Sequence, residues 1–175
     1  MDVKKTAWES EKWRLDIYEL TKPDGAQVET AVVRHPGAVM LVPVDENGMV
    51  LMLKQYRLPL DETILEVPAG TRENKEEPWL ICAQRELREE TGHRADEFHD
   101  LGLLWPLPGT SDEELMLYLA TGLTHDPLPQ DFDEEIEVVR IGLDELCAMA
   151  LDGRMQDMKS GLAVLRAQAY LASRA

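Results

Sequence analysis

The sequence has few cysteines and no long apolar run. Its two cysteines among 175 residues, Cys82 and Cys147, lie far apart. This spacing argues against a disulfide framework and a thiolate zinc site, and it is typical of a reducing compartment. The longest apolar run, residues 38–44, is far shorter than the roughly 20 residues that span a bilayer. Charges interrupt the first residues too often for a secretion signal. We therefore expect a cytoplasmic protein.

Positive charge is also scarce. Eighteen Lys and Arg residues stand against 34 Asp and Glu residues, which gives a formal net charge of −16. This surplus opposes broad electrostatic contact with nucleic acid or anionic lipid, so we expect neither as a partner. A phosphorylated metabolite remains compatible if metal ions mediate its binding. The apolar fraction of 44% and the chain length predict one folded domain over residues 1–175.

Hairpin signals dominate the first third of the chain. Residues 13–18 and 28–34 alternate as strands around the turn Lys22-Pro23-Asp24-Gly25, which predicts an N-terminal antiparallel hairpin. Residues 38–44 and 49–56 predict a second hairpin, because Asn47-Gly48 between them is a strong turn signal.

Later segments alternate between strand and helix patterns. Further strands are predicted at 98–105, 115–120 and 136–141, and helices at 78–91, 143–151 and 160–173. In the last helix, Leu162, Leu165, Ala169 and Ala172 are predicted to share the packed side. The order of elements predicts an α/β (α+β) fold, in which a mixed β-sheet is sandwiched between helices.

The helix predicted at 78–91 concentrates negative charge. Glu86, Glu89 and Glu90 are spaced i, i+3 and i+4, so the three carboxylates share one face. Each like-charged pair costs roughly 0.2–0.5 kcal/mol on an exposed helix. Clustered carboxylate oxygens suit Mg²⁺ or Mn²⁺, which would offset the repulsion. Glutamate-rich helix faces are also common as plain solvated surface, and these three residues alone leave that alternative open.

The residues flanking this helix add a more specific pattern. Gly70, Glu77, Arg85-Glu86-Leu87, Glu89-Glu90 and Gly92 together resemble the Nudix box, the signature of the Nudix hydrolase superfamily. Two departures stand out. Six residues, not five, separate Gly70 from Glu77, and His93 replaces an aliphatic residue. We place the extra residue in the loop, since an insertion inside the helix would rotate its faces by about 100°. Aligning Glu76 instead is the alternative.

Other segments narrow the resemblance to one branch. The runs 54–57, 65–70 and 107–113 are similar to those of the ADP-ribose pyrophosphatase branch. The resemblance implies a Nudix fold and a homodimer. It also implies a division into an N-terminal hairpin segment, 1–36, which exchanges between subunits, and a Nudix core, 37–175.

The resemblance implies roles for individual residues. Metal binding falls to Glu86, Glu89, Glu90 and the Ala69 carbonyl, while Glu77 and Arg85 form a structural ion pair. The general base is Glu134 or Glu135, of which we take Glu134. The positions implied to bind substrate are Arg57, Glu66, Gly109, Glu113 and Trp13. A sheet-edge salt bridge is the alternative for Arg57, and ordinary strand packing for Trp13.

The implied activity is hydrolysis of ADP-ribose to AMP and ribose 5-phosphate with Mg²⁺, or Mn²⁺, as cofactor. Two alternatives remain open. The substrate is another nucleoside diphosphate sugar, such as GDP-mannose, or a broad range of them. Alternatively, the chain is a non-catalytic, nucleotide-sensing Nudix module.

Overall fold

The computed structural model describes residues 3–129 and 135–174. Within these residues the chain forms twelve strands and three helices. The strands are β1 (Val3–Glu9), β2 (Arg14–Thr21), β3 (Gln27–Arg34), β4 (Ala38–Pro43), β5 (Met49–Arg57), β6 (Glu62–Glu66), β7 (Ala69–Thr71), β8 (His93–Arg94), β9 (Glu97–Leu104), β10 (Leu115–Thr121), β11 (Thr124–His125) and β12 (Ile136–Gly142). The helices are α1 (Trp79–Thr91), α2 (Leu143–Asp152) and α3 (Met158–Ala172).

The N-terminal segment is a three-stranded antiparallel sheet in the order β1-β2-β3. The predicted hairpin corresponds to β2 and β3, and its turn is closed by a hydrogen bond from the Gly25 N–H to the Lys22 carbonyl. Strand β1 was not predicted, because every residue in it is exposed and its sequence has no buried face to produce a pattern. The segment therefore contains one strand more than the predicted hairpin.

Two further sheets form the centre of the molecule. One has the order β7-β4-β10-β9 and is mixed, because β4 and β10 run parallel while the other pairs are antiparallel. The other is antiparallel, in the order β12-β5-β6. The predicted second hairpin is wrong in its pairing: β4 and β5 are joined by a turn in which Gly48 takes a left-handed conformation with φ 74°, but they belong to different sheets and meet at an isolated bridge between Val44 and Val50. The predicted mixed sheet is confirmed by the order β7-β4-β10-β9.

Strand β4 shows how helices cover both sides of the mixed sheet. All six of its residues are buried. Val39 and Leu41 belong to a cluster that contains residues of α1. Met40 and Val42, which point the opposite way because side chains alternate along a strand, belong to a larger cluster that contains residues of α2 and α3. No helix among the described residues is long and apolar enough to cross a membrane.

Helix α3 packs through a different face from the predicted one. Leu162 is 38% exposed, whereas the buried positions are Ser160, Gly161, Ala163, Val164 and Ala167. Small side chains allow the helix axis to approach the sheet closely, which a row of leucines would prevent. The prediction weighted hydrophobicity over size and selected the wrong face. The helix also begins earlier than predicted, because Asp157 caps it by accepting a hydrogen bond from the Ser160 N–H.

Candidate active site

The carboxylates of α1 face into the protein. Glu86 is 7% exposed and Glu90 is 2% exposed, whereas Glu89 is only partly buried. The Glu90 Oε2 accepts a hydrogen bond of 2.8 Å from the Ala69 N–H, which joins the helix to the start of β7. A solvated glutamate face, the alternative open from the sequence, does not describe these side chains.

Gly70 explains how the Glu86 carboxylate comes so close to the backbone. A Cβ atom at this position would overlap Cδ, Oε1 and Oε2 of Glu86. Gly70 is held in place by pairing with Val39 of the buried strand β4. The backbone of β7 therefore forms a cradle for this carboxylate that only glycine permits.

Arg85 is the cation at the centre of the carboxylates. Its Nη1 lies 2.7 Å from Glu86 Oε1 and 3.0 Å from Glu89 Oε2, and its Nε lies 3.4 Å from Glu77 Oε1. Burial raises the pKa of Glu86 to about 7, although the positive charges of Arg85 and Lys12 act against this rise. One guanidinium therefore serves three carboxylates, and negative charge remains in excess.

The donor chemistry of this group suits a divalent cation. Glu86, Glu89 and Glu90 offer hard oxygen ligands, which Mg²⁺ and Mn²⁺ prefer, and the Glu86 carboxylate occupies the space that a side chain at residue 70 would fill. In the described part of the chain, no three acidic, histidine or cysteine side chains are already arranged to hold an ion. Instead, Arg85 holds the carboxylates of Glu86 and Glu89, and the Ala69 N–H holds that of Glu90.

The loop before α1 accommodates the extra residue. Arg72 is 8% exposed, and its guanidinium donates to the carbonyls of Pro36 at 3.0 Å and Glu77 at 2.7 Å, and also to that of Lys75. Its guanidinium carbon also lies 4.1 Å from the ring centroid of Trp79. Glu77 is the residue that reaches Arg85, so the helix keeps its register and the predicted ion pair is present.

The segment between β6 and β7, residues 66–69, is fixed from several sides. Glu66, 3% exposed, makes two bonds with Arg57: Nε to Oε1 at 2.6 Å and Nη2 to Oε2 at 3.0 Å. The Val67 N–H donates to Ser160 Oγ at 2.9 Å. In this structure Arg57 therefore makes the carboxylate contact that the sequence left as one alternative.

Trp13 lies in a separate cleft of about 460 Å³ beneath the β1–β2 turn. Its ring centroid is 5.0 Å from that of Trp8, and it is 43% exposed. Basic and acidic side chains share the lining: Glu9, Glu11, Lys12, Arg14, Arg34, His35, Glu73, Lys75 and Asp112. The Lys12 charge also acts on Glu86, so the turn that carries Trp13 lies near the carboxylates.

The other predicted residues are less constrained. Gly109 lies in the turn between β9 and β10, and a Cβ atom there would meet no atom within 4 Å. The Glu113 N–H donates to Ser111 Oγ at 3.1 Å. Glu134 lies outside the described residues, and Glu135 is exposed. The structure places Glu86 and Glu89 on Arg85 and Glu90 on the Ala69 N–H, and it leaves the metal ligands and the general base as predictions.

Sequence reasoning missed two residues that shape the site, Arg72 and Ser160. Arg72 lies two residues after Gly70 of the family pattern, so the sequence could have predicted that its side chain holds the loop. Ser160 gives no such signal, because its partner Val67 is 93 residues away in the chain.

Comparison with known proteins gives a consistent result. The family model for the NUDIX domain matches residues 33–162. The chain is 35% identical over 153 residues to a methanol dehydrogenase activator from Bacillus methanolicus, covering 86% of this chain and 82% of that one. It is 34% identical over 154 residues to an ADP-ribose pyrophosphatase from Bacillus subtilis (strain 168), covering 86% and 83%. The crystal structure of an ADP compounds hydrolase superposes with a TM-score of 0.81 at 19% identity, covering 97% of this chain and 92% of that chain.

Proposed function

The chain belongs to the Nudix family, and from that premise we propose that it hydrolyses ADP-ribose to AMP and ribose 5-phosphate with Mg²⁺. The observation that carries the proposal is the burial of Glu86 and Glu90 against Gly70 and Ala69. Burying two carboxylates this way is costly unless a cation compensates. The name of the Bacillus subtilis relative supports ADP-ribose as substrate.

The proposed roles follow from donor chemistry. Glu86, Glu89, Glu90 and the Ala69 carbonyl would hold the divalent ions, with Mn²⁺ as an alternative to Mg²⁺. Bound ions of this kind polarise a diphosphate and lower the pKa of an attacking water. Arg85 bridges Glu86 and Glu89, because its Nη1 contacts both carboxylates.

We assign the general base to Glu134, whose carboxylate can take a proton from the attacking water. The same proposal gives substrate contacts to Arg57, Glu66, Gly109, Glu113 and Trp13. The exposed ring of Trp13 offers a flat surface suited to adenine. Because Arg57 and Glu66 are fixed to each other, we expect them to act on the substrate as a unit.

The wider setting is part of the proposal. We infer a cytoplasmic protein that contacts neither nucleic acid nor membranes, on the support of the isolated cysteines and the net charge of −16. We also infer a homodimer, on the support of the resemblance to the ADP-ribose pyrophosphatase branch. Sedimentation equilibrium should give about twice the monomer mass of 19.8 kDa. A monomer mass at micromolar concentration would contradict the dimer.

The decisive test of the function is Glu90→Gln. The amide oxygen of Gln retains an acceptor for the Ala69 N–H, so folding should persist, whereas the charge that holds the ion is lost. We expect kcat for ADP-ribose to fall by more than about 100-fold. This exceeds the loss of about 10–100-fold that is typical of residues that only hydrogen-bond to metal ligands. Release of AMP, coupled to alkaline phosphatase, measures the rate, and far-UV circular dichroism checks the fold. Undiminished turnover would reject the assignment.

A substrate panel separates the alternatives. ADP-ribose and GDP-mannose should be assayed with and without Mg²⁺, because the box itself selects neither base nor sugar. Faster turnover of GDP-mannose would move the substrate to the second candidate. A relative 35% identical is named an activator of another enzyme. Metal binding without turnover of any panel member would therefore favour the non-catalytic module.

A further inference from the structure

Ser160 is a fully buried polar residue in the first turn of α3. It lies behind the mixed sheet, on the side of α2 and α3, whereas the carboxylates of α1 lie on the other side. Its hydroxyl nevertheless contacts the segment that leads to Ala69, because the Val67 N–H donates to Ser160 Oγ at 2.9 Å.

The neighbours of Ser160 fix the direction of its hydroxyl. Ser160 Oγ lies 2.6 Å from Asp157 Oδ2, which has no proton to give when ionised, so the hydroxyl donates to the carboxylate. The oxygen lone pairs then face the Val67 N–H. Lys159 Nζ lies 2.6 Å from Asp157 Oδ1, which keeps the carboxylate charged and oriented.

The bond to Val67 completes the anchoring of residues 66–69. Glu66 is held by Arg57, the Pro68 carbonyl accepts from the Leu41 N–H at 2.8 Å, and the Ala69 N–H donates to Glu90. Proline has no N–H, so the Val67 N–H is the last backbone donor before Ala69. Losing its acceptor would leave a buried donor unpaired, and the segment would shift to satisfy it.

We propose that Asp157 and Ser160 are positioning residues that hold the Val67–Ala69 backbone, and with it the Ala69 carbonyl, in register for a divalent cation. The inference rests on the proposed function in taking that carbonyl as a metal ligand. Capping of α3 accounts for the bond from the Ser160 N–H to Asp157, but it does not account for the bond to Val67. That second bond couples the cap to the site.

The test compares Ser160→Ala with Val164→Ala. Both remove buried atoms from α3, but Val164 does not bond to the 66–69 segment. Calorimetric titration with Mn²⁺ alone should show affinity lowered about 10–100-fold by Ser160→Ala and unchanged by Val164→Ala. Amide hydrogen exchange should show faster exchange at Val67 in Ser160→Ala only. Equal Mn²⁺ affinity in the two variants would overturn the proposal.

A second pair covers the case in which Ser160→Ala does not fold. Asp157→Asn keeps an oxygen for the Ser160 hydroxyl and should bind Mn²⁺ nearly as the wild type does, whereas Asp157→Ala should bind it more weakly. Identical affinities in this pair would also overturn the proposal. Wild-type protein that binds Mn²⁺ but does not cleave ADP-ribose would reject the proposed substrate alone. Wild-type protein that binds no Mn²⁺ would reject both.

Discussion

At the scale of single residues, the contact between Gly70 and Glu86 has the largest consequences. The carboxylate lies where a side chain at residue 70 would be. The pKa of Glu86 is raised by burial to about 7. A backbone position that requires glycine is therefore in contact with a carboxylate whose ionised form is disfavoured by burial. This combination supports a role for Glu86 in binding a cation.

Gly70→Ala should separate stability from metal binding. Because Glu86 is flexible, its carboxylate should swing away from the new Cβ, at a cost of no more than about 1–3 kcal/mol. Mn²⁺ affinity should fall by roughly tenfold or more. Urea unfolding and Mn²⁺ titration measure the two effects.

The matched control for that substitution is Gly161→Ala. A Cβ atom there would lie 3.6 Å from Ala150 Cβ, an ordinary contact, so Mn²⁺ affinity should not change. Helix α3 should gain about 0.5–1 kcal/mol from the replaced glycine. Full Mn²⁺ affinity in Gly70→Ala would contradict the role of the cradle.

The residue pattern of the site was readable because most of it is local. Glu86, Glu89 and Glu90 lie within one and a half turns of a single helix, so their shared face follows from helix geometry. The tight packing of Gly70 on Glu86 could be inferred only through the family pattern. The hydrogen bond from the Val67 N–H to Ser160 joins residues that are 93 positions apart in the chain. No local sequence pattern predicts such a contact.

At the scale of elements, the loop of residues 72–78 keeps the inserted residue from disturbing α1. Arg72 bonds three carbonyls of this region at once, and Asn74 Oδ1 accepts from the N–H groups of Glu76 and Glu77. The loop is therefore a folded unit, and its rigidity keeps Glu77 opposite Arg85.

Arg72→Lys should loosen this loop. A lysine ammonium cannot reproduce the planar fork of the guanidinium, so buried carbonyls lose partners at a cost of about 1–3 kcal/mol. We expect faster amide hydrogen exchange at Glu76 and Glu77. Arg94→Lys, at an exposed arginine paired with Asp96, is the control and should change stability by less than about 0.5 kcal/mol. Unchanged exchange in Arg72→Lys would show that the loop does not depend on the fork.

The success of sequence prediction also varied among elements for physical reasons. The β2–β3 hairpin and the turn between β4 and β5 were predictable because their turn residues act within a few positions. The pairing predicted for β4 and β5 was wrong, because their separation into two sheets is a tertiary property. Strand β1 escaped because exposure on both faces removes the alternation that identifies a strand. The packed face of α3 was predicted wrongly because the spacing between helix and sheet, to which the buried Ala163 and Ala167 contribute, is a tertiary property.

At the scale of the whole molecule, Asp112 joins the N-terminal sheet to the core. Its carboxylate accepts from the His35 N–H at 2.9 Å and from Arg34 Nη1 at 3.0 Å. Its own N–H donates to the Val33 carbonyl at 3.2 Å. The division of the chain at residue 36 remains a prediction, and this junction is where it would be tested.

Asp112 should make the stability of that junction depend on pH. Burial alone would raise its pKa, but the His35 N–H and the charges of Arg34 and Lys75 hold the pKa below its ordinary value of 3.8. A lowered folded-state pKa means that the contribution is complete above the unfolded pKa and is lost as the pH falls through the folded value. The stability difference between wild type and Asp112→Asn should thus stay constant from about pH 7 to about pH 5 and shrink below about pH 4.

Urea unfolding across this range measures the difference. Asp24→Asn, at an exposed turn where the carboxylate accepts from the Ala26 N–H, controls for the substitution itself. A difference that grows as the pH falls would contradict the assigned direction.

The segment 66–69 takes its anchors from α1, β4 and α3, which are far apart along the chain. A fragment that ends before residue 158 would still contain every proposed ligand of α1, yet it would lack the hydroxyl that holds the backbone beside them. Proteolytic removal of α3 should therefore abolish activity and should not leave an active fragment. Damage to α3, which is far from the glutamates along the chain, would then cause loss of catalytic activity.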